Sequence, residues 1–285
     1  MIRLSAFADE AAATLDGQIA AMKRNGISYL EVRGINNKNV ADFTEDEAKC
    51  HADRLSAENI RVWAIGSPLG KVSINCDFDE YRKKVAHICR IARIFGTRNI
   101  RIFSFFEAYS SPETVSSYLR EMVKTADEYG VKLYHENEKA IYGDTVERVL
   151  SIRDSVEGLG FVYDPANYLE VGEDPSVSLD ALHALTDYFH IKDVIRSTGQ
   201  LVPAGHGDGN IRELIARIGK DEDKVLTVEP HLAIFSGYAE IDGTEMKNKY
   251  QFATNDDAFD AAVRALKDLL AEQGYTEIEG GFVKL

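Results

Sequence analysis

Leu-Tyr-His-Glu (133–136), Phe-Val-Tyr-Asp (161–164), Tyr-Phe-His (188–190) and Leu-Thr-Val-Glu (226–229) are four apolar runs that each end on a metal-type ligand. Their last residues, Glu136, Asp164, His190 and Glu229, are separated by 28, 26 and 39 residues. Each gap is close to one strand-plus-helix unit. Ligands leaving the carboxyl ends of four successive strands converge on one point when a parallel sheet closes into a barrel. Carboxylate oxygen and imidazole nitrogen together suit a divalent ion: Mn²⁺ first, with Mg²⁺, Co²⁺ and Zn²⁺ as alternatives. Taken singly, each residue also fits an ordinary polar strand end, and Asp164 before Pro165 fits a turn cap. Four at successive unit spacing favour one shared site.

Working outward, the chain alternates short apolar runs with longer amphipathic ones. The expected strands are Ile2–Phe7, Tyr29–Arg33, Ile60–Ile65, Asn99–Phe105, Val131–Glu136, Gly160–Asp164, Tyr188–Lys192 and Val225–Glu229. The expected helices are Ala11–Arg24, Glu45–Glu58, Glu80–Phe95, Pro112–Tyr129, Thr145–Asp154, Leu179–Leu185, Ile211–Ile218 and Asp256–Glu272. Val85, Ile88, Ile91, Ala92 and Phe95 fall on one helical stripe. Gly26, Gly96 and Gly130 sit just past helix ends, where a left-handed residue is needed. Thr44 with Glu47 reads as a capping box. Eight such units without a long linker predict a single α/β domain over residues 1–285, a (β/α)8 TIM barrel. A doubly wound open sheet is the alternative, but no Gly-x-Gly-x-x-Gly follows the first strand.

Strand parity sorts the faces. Tyr29, Glu31 and Arg33 alternate with Leu30 and Val32, and Arg3, Ser5 and Phe7 alternate with Ile2, Leu4 and Ala6. The wholly apolar parity is expected to face the helices and the mixed parity the barrel axis. Arg3, Arg61 and Arg101 come early in their strands and are expected at the bottom or middle of the barrel. Glu31 is the expected partner of Arg101.

The chain has 285 residues and a net charge of −14, which argues against tracking a phosphate backbone. Its three cysteines, Cys50, Cys76 and Cys89, are odd in number and lack metal-type spacing, as expected of free thiols in a reducing cytosol. The start has no apolar leader-like core, and no run approaches the roughly 18 apolar residues of a membrane span. A cytoplasmic protein without membrane or nucleic-acid partners is expected.

Leu-Tyr-His-Glu-Asn-Glu-Lys, Tyr-Asp-Pro-Ala-Asn-Tyr, His-Ile-Lys-Asp and Val-Glu-Pro-His-Leu resemble the sugar phosphate isomerase/epimerase superfamily, the xylose isomerase-like barrels. That superfamily also holds ketose 3-epimerases, inosose dehydratases and type IV apurinic endonucleases, and the resemblance covers essentially the whole chain. It implies that Glu136, Asp164, His190 and Glu229 hold the metal and that Glu136 and Glu229 also form the acid/base pair. It implies a substrate-binding arginine six residues after the histidine ligand, matched by Arg196. The epimerases usually carry a second histidine three residues after the aspartate; here Asn167 stands there, able to donate to a hydroxyl but not to act as a base. The endonuclease branch needs further histidines. Gly66-Ser67-Pro68-Leu69-Gly70-Lys71 and Phe103-Ser104-Phe105-Phe106 offer none.

The expected activity is that of a metal-dependent epimerase or isomerase of a sugar or sugar derivative. A cation on adjacent hydroxyl and carbonyl oxygens acidifies the C–H between them and stabilises the enediolate, while two carboxylates exchange the proton. A lyase acting on a keto-inositol or 3-keto-sugar, and a sugar-binding barrel without catalysis, are the alternatives. Further candidate substrate contacts are Glu31 and Arg33 near the mouth, Lys71 on the third loop, Lys192 and His231 by parity with the ligands, and His206. His206 lies in the Gly-rich Val202–Asn210 loop, which also fits a plain tight turn and is no Walker loop. Gly237 to Asp257, with Tyr238, Lys247, Lys249 and Tyr250, reads as a lid or a homo-oligomer contact. Without a dense Arg/Lys phosphate pocket, the small-molecule substrate is expected to be uncharged.

Overall fold

β1 (Ile2–Ala6) is where the sheet closes on itself. In the computed structural model, which describes residues 1–232 and 252–284, it pairs in parallel with the second strand on one side and the last barrel strand on the other. The part of the expected lid from Gly237 to Gln251 lies outside the described residues. After β1 come β2 (Tyr29–Val32), the hairpin β3 (Gly34–Ile35) and β4 (Lys38–Asn39), β5 (Arg61–Gly66), β6 (Asn99–Ile102), β7 (Lys132–Glu136), β8 (Gly160–Tyr163) and β9 (Tyr188–Ile191). The hairpin β10 (Asp193–Ile195) and β11 (Gln200–Val202) precedes β12 (Lys224–Val228), and β13 (Tyr275–Ile278) and β14 (Gly281–Lys284) form a terminal hairpin. The barrel order is β1-β2-β5-β6-β7-β8-β9-β12, and β12 returns to β1 with Ile2 opposite Lys224 and Ala6 opposite Val228. This is the eight-stranded parallel barrel the spacing predicts.

Around it lie α1 (Leu15–Arg24), α2 (Glu45–Ala57), α3 (Phe78–Ile94), α4 (Pro112–Glu128), α5 (Val146–Ser155), α6 (Pro165–Glu170), α7 (Pro175–Leu182), α8 (Ile211–Arg217) and α9 (Asn255–Glu272). No described helix is long and apolar enough to cross a membrane. The capping box at Thr44 and Glu47 is formed. Gly26, Gly96 and Gly130 hold φ of +65°, +74° and +64° at their helix ends. The apolar stripe of α3 is buried, as expected.

Several bounds move, each for a local reason. The first helix begins at Leu15 rather than Ala11, because the Thr14 hydroxyl accepts from the Gly17 N–H and caps it there. The helix expected from Leu179 begins at Pro175, with Asp174 as its cap and proline at the first helical position. The fourth strand ends at Ile102, not Phe105. Phe103 and Phe105 instead donate their N–H groups to Leu69 and Gly70 of the preceding loop, and Phe105 takes φ of +73°. Gly70 is required at that crossing, since a Cβ there would lie 2.1 Å from the Phe103 carbonyl oxygen.

Parity sorts the faces as read: Leu30 and Val32 join the main core beneath the helices, while Glu31 is buried inside the barrel. The three early arginines diverge. Arg61 is exposed, and Arg3 lies near the surface 3.6 Å from Asp223. Arg101 is buried, and its Nε lies 3.1 Å from Glu136 Oε2, so Glu136 and not Glu31 is its direct partner. A long side chain starting mid-strand reaches the next layer up, which parity alone does not show.

On the outward parity of β7, His135 is fully buried, with Nε2 2.9 Å from the Ser104 hydroxyl. That hydroxyl also accepts the Gly143 N–H. Burial pushes the imidazole down to about 3. An unfolded histidine titrates near 6.5. Between those values the unfolded chain binds the extra proton, so His135 removes stability as pH falls below about 6.5. From pH 7.5 to 5.5 its contribution to that loss is about 1.4 kcal/mol. Urea unfolding of His135→Leu at the two pH values is expected to show a drop smaller by about that amount than in the parent chain; equal drops would refute it.

Candidate metal centre

The barrel interior is layered. At the bottom Tyr134, Val162, Tyr188 and Val225 pack together, with Trp63 against them. Two residues further along β7, β8 and β9, the same parity carries Glu136, Asp164 and His190. On β12 the parity runs Val225, Thr227, Glu229. All four predicted ligands are buried, and one ligand atom from each lies within 4.8 Å of all the others. The four runs that ended in metal-type residues therefore do meet.

His190 sits between the two glutamates. Its Nδ1 is 2.8 Å from Glu136 Oε1 and 3.0 Å from Glu229 Oε2, and its Nε2 is 3.2 Å from Glu31 Oε2. Burial alone would lower the imidazole pKa, but the Glu136 and Glu31 carboxylates overcome it and raise it well above the ordinary value. Glu229 is held well below the carboxylate range: burial opposes this, and Lys192 with the hydrogen bonds from His190 and His231 outweighs it. Three carboxylates this close repel one another unless positive charge lies among them. The donor set, three hard oxygens and one imidazole facing a common point, fits a divalent ion there.

Each carboxylate also has a cation of its own behind it. Arg101 stands behind Glu136, Lys192 Nζ lies 2.9 Å from Asp164 Oδ2, and Arg33 Nη1 is 3.3 Å from Glu229 Oε1. Arg33 continues to Asp9 at 2.9 Å and Glu10 at 3.3 Å. Glu10, Glu229 and His231 form a second convergent group, but the Arg33 guanidinium already lies against both of its carboxylates. Asp164 does two jobs: Oδ1 accepts the N–H groups of Ala166 and Asn167 and caps α6. The turn-cap reading and the ligand reading of Asp164 are thus compatible.

The surrounding candidates separate. Arg33 and Lys71 line a cleft above the cluster with Arg101, Phe103 and Glu138. Lys71 pairs with Glu138 at 3.1 Å, and the Phe103 ring faces both Lys71 and Arg101. Burial would raise Glu138, but Lys71 and Lys192 draw its pKa down to about 2. Asn167 is locked: its Oδ1 accepts from Lys192 at 2.8 Å and its Nδ2 donates to the Asn137 carbonyl at 2.8 Å. Glu31 does not face the cleft as expected. Its oxygens take Tyr188 Oη at 3.1 Å, Thr227 Oγ1 at 2.9 Å and His190 Nε2, beneath the ligands. Arg196 is exposed, and its guanidinium donates to the Glu173 carbonyl. The hairpin β10–β11 turns it outward, so the six-residue spacing does not bring it to the cluster. His206 is exposed on the Gly-rich loop that follows β11.

Residue counting left Asp193, Asn137, Asp9 and Glu10 without a role. The signal for Asp193 is the glycine pattern itself. Its carboxylate accepts N–H groups from Val194 at 2.9 Å, Gly205 at 2.9 Å, Gly207 at 3.0 Å and Gly209 at 2.9 Å. A Cβ on Gly207 would lie 2.4 Å from Asp193 Oδ1. The Gly-rich loop is therefore wrapped around a buried anion one residue past Lys192. Asn137 brackets Asp164, donating to its carbonyl and accepting from its N–H, both at 2.9 Å. Asp193→Ala strands several donors and is expected to destabilise the fold by about 3 kcal/mol or more, with Asp193→Asn milder because one oxygen remains. Chemical denaturation measures both; an unchanged midpoint in Asp193→Ala would contradict this account of the loop.

Comparison with known proteins agrees with this architecture. No curated protein matches the sequence. Among solved structures, the probable 3-DHS dehydratase AsbF of Bacillus anthracis is 16% identical, with a TM-score of 0.72, covering 94% of this chain and 99% of its own. D-allulose 3-epimerase from Methylomonas sp. is 14% identical, with a TM-score of 0.71 and coverage of 94% and 98%. The IOLI protein, solved with a bound zinc atom, is 18% identical, with a TM-score of 0.69 and coverage of 95% and 99%. At these identities the likeness is one of fold. The model of the xylose isomerase-like TIM barrel family matches residues 19–268, and the chain belongs to that family.

Proposed function

We propose that the protein is a divalent-metal-dependent epimerase or isomerase of a sugar or sugar derivative. The observation that carries this reading is the convergence of Glu136, Asp164, His190 and Glu229, all buried, within 4.8 Å. The ion, Mn²⁺ by preference for this oxygen-rich set, would supply the Lewis acidity that loosens a C–H beside a carbonyl.

The chain's own groups account for the rest. Glu136 and Glu229 approach from β7 and β12, both against His190 Nδ1, and are the proton-exchanging pair. Arg101 and Arg33 each lie against one oxygen of these glutamates and fix the direction in which the other oxygen points. Arg33, Lys71 and Glu138 line the cleft and can meet hydroxyl groups of a polyol. The cleft cations are already matched by Asp9, Glu10 and Glu138, so an uncharged substrate fits better than a phosphorylated one. A lyase is the second reading. The buried Lys71–Glu138 pair favours it, because it places a proton donor over the cleft apart from the ligands, as departure of a hydroxyl requires.

Elemental analysis of the purified protein is expected to show a divalent metal. In D₂O with Mn²⁺ and a panel of ketoses and aldoses, deuterium should enter one carbon of the true substrate, while loss of water mass would mark the lyase instead. Glu136→Gln should lower turnover by about 10²-fold or more with an unchanged circular dichroism spectrum. Full activity in that variant would remove Glu136 from the mechanism.

A further inference from the structure

The two oxygens of Glu229 have different surroundings. Oε2 faces His190 Nδ1 at 3.0 Å, toward the convergence point. Oε1 lies 3.1 Å from His231 Nε2 and 3.3 Å from Arg33 Nη1. His231 in turn is gripped from the far side of the barrel seam. Its backbone N–H donates to Glu10 Oε2 at 2.7 Å, and its ring Nδ1 is 3.0 Å from Glu10 Oε1. One carboxylate thus fixes both backbone and ring of the same residue. His231 needs that hold, since it follows Pro230 and takes φ of +47°, a region disfavoured for a residue with a Cβ. Glu10 is itself anchored: it ends the 3₁₀ turn Ala8–Glu10 after β1, and its own N–H donates to the Phe7 carbonyl. Glu10, Arg33, Glu229 and His231 are all buried.

We infer that Glu10 is a positioning residue of the metal centre, acting through His231 to hold Glu229 Oε1 aside so that Glu229 ligates through Oε2 alone. This rests on the divalent-ion reading above. A glutamate free to turn would bring both oxygens to the ion and fill a position that a substrate oxygen needs. A strained backbone and a two-point grip on a residue that contacts Glu229 go beyond what packing of the loop requires. A loop anchor alone would need only the backbone N–H contact.

The test uses the full chain loaded with Co²⁺, whose visible absorption weakens as coordination number rises. Glu10→Ala and His231→Ala should each weaken Co²⁺ binding about tenfold and reduce the visible band, as loss of a ligand-orienting partner does. Glu10→Gln, which keeps an oxygen for the backbone N–H and can donate its amide to Nδ1 of a neutral ring whose Nε2–H still faces Glu229, should stay within about threefold and retain the parent spectrum. Glu10→Ala added to His231→Ala should cost clearly less than Glu10→Ala alone, with only the part carried by the Glu10–Arg33 contact remaining. Should Glu10→Ala fail to fold, Glu10→Met fills the space without an acceptor and carries the same expectation. Parent-like affinity and spectrum in Glu10→Ala would overturn the inference, as would an undiminished Glu10→Ala effect in the His231→Ala background. Parent protein that takes up no Co²⁺ would overturn the divalent-ion reading together with it, whereas normal uptake by the parent leaves that reading standing whatever the variants show.

Discussion

Three carboxylates buried within 4.8 Å of one imidazole set the terms for the upper half of this barrel. Burial of one unpaired carboxylate is already costly, and like charges at this distance raise the cost further. The structure meets it with cations behind the candidate ligands: Arg101 for Glu136, Lys192 for Asp164, Arg33 and His231 for Glu229. Those cations bring anions of their own, Asp9, Glu10 and Glu138, so the network spreads from the axis into the loops after β1, β2, β5 and β7. An ionic cluster of this size is weak evidence for stability. It is better explained as preparation of a charged centre whose oxygen atoms must point in set directions.

The layer below serves the same end. Glu31 takes the far nitrogen of His190 and is braced by Tyr188 and Thr227. When the imidazole is neutral, as binding a cation would require, a carboxylate behind it holds the proton on Nε2 and leaves Nδ1 toward the two glutamates. Beneath it the aromatic floor of Tyr134, Tyr188 and Trp63 closes the barrel to water from below. Among the described residues, the centre is packed from underneath and the cleft lies on the side of the strand carboxyl ends. TIM-barrel enzymes in general build their active sites on that side.

What the sequence disclosed and what it withheld follow from the same geometry. The fold was legible because each unit repeats a short apolar run and an amphipathic helix, and the ligand set because its members all stand where strands stop. Parity placed Glu31, Arg33 and Arg101 inside the barrel. It did not give their height along the axis, so Arg101 paired one layer above the partner expected for it, and Glu31 turned under His190 instead of toward the cleft. Beyond a strand end, counting loses its meaning. Lys192 stays buried one residue past β9, while Arg196, four residues on, has already been carried outward by a hairpin. Asp193 was hidden for a different reason: its carboxylate accepts backbone N–H groups, which no spacing of side-chain types records, and Glu10 likewise takes the His231 N–H besides its side-chain contacts.

Asn167 brings these strands of argument together. The resemblance read from the sequence implies that ketose 3-epimerases usually carry a histidine at this position. Here the asparagine spans Lys192 and the Asn137 carbonyl, and Asn137 in turn brackets the backbone of Asp164. The substitution therefore replaces a titrating group with a brace that fixes a lysine against a ligand carboxylate. Under the proposed reaction, the base among the described residues is one of the cluster glutamates. Hydroxyl recognition then falls to Lys71, Glu138 and Arg33 on the opposite wall. Substrate choice in this chain would accordingly be set from the loops after β2, β5 and β7, while β8 and β9 supply rigidity.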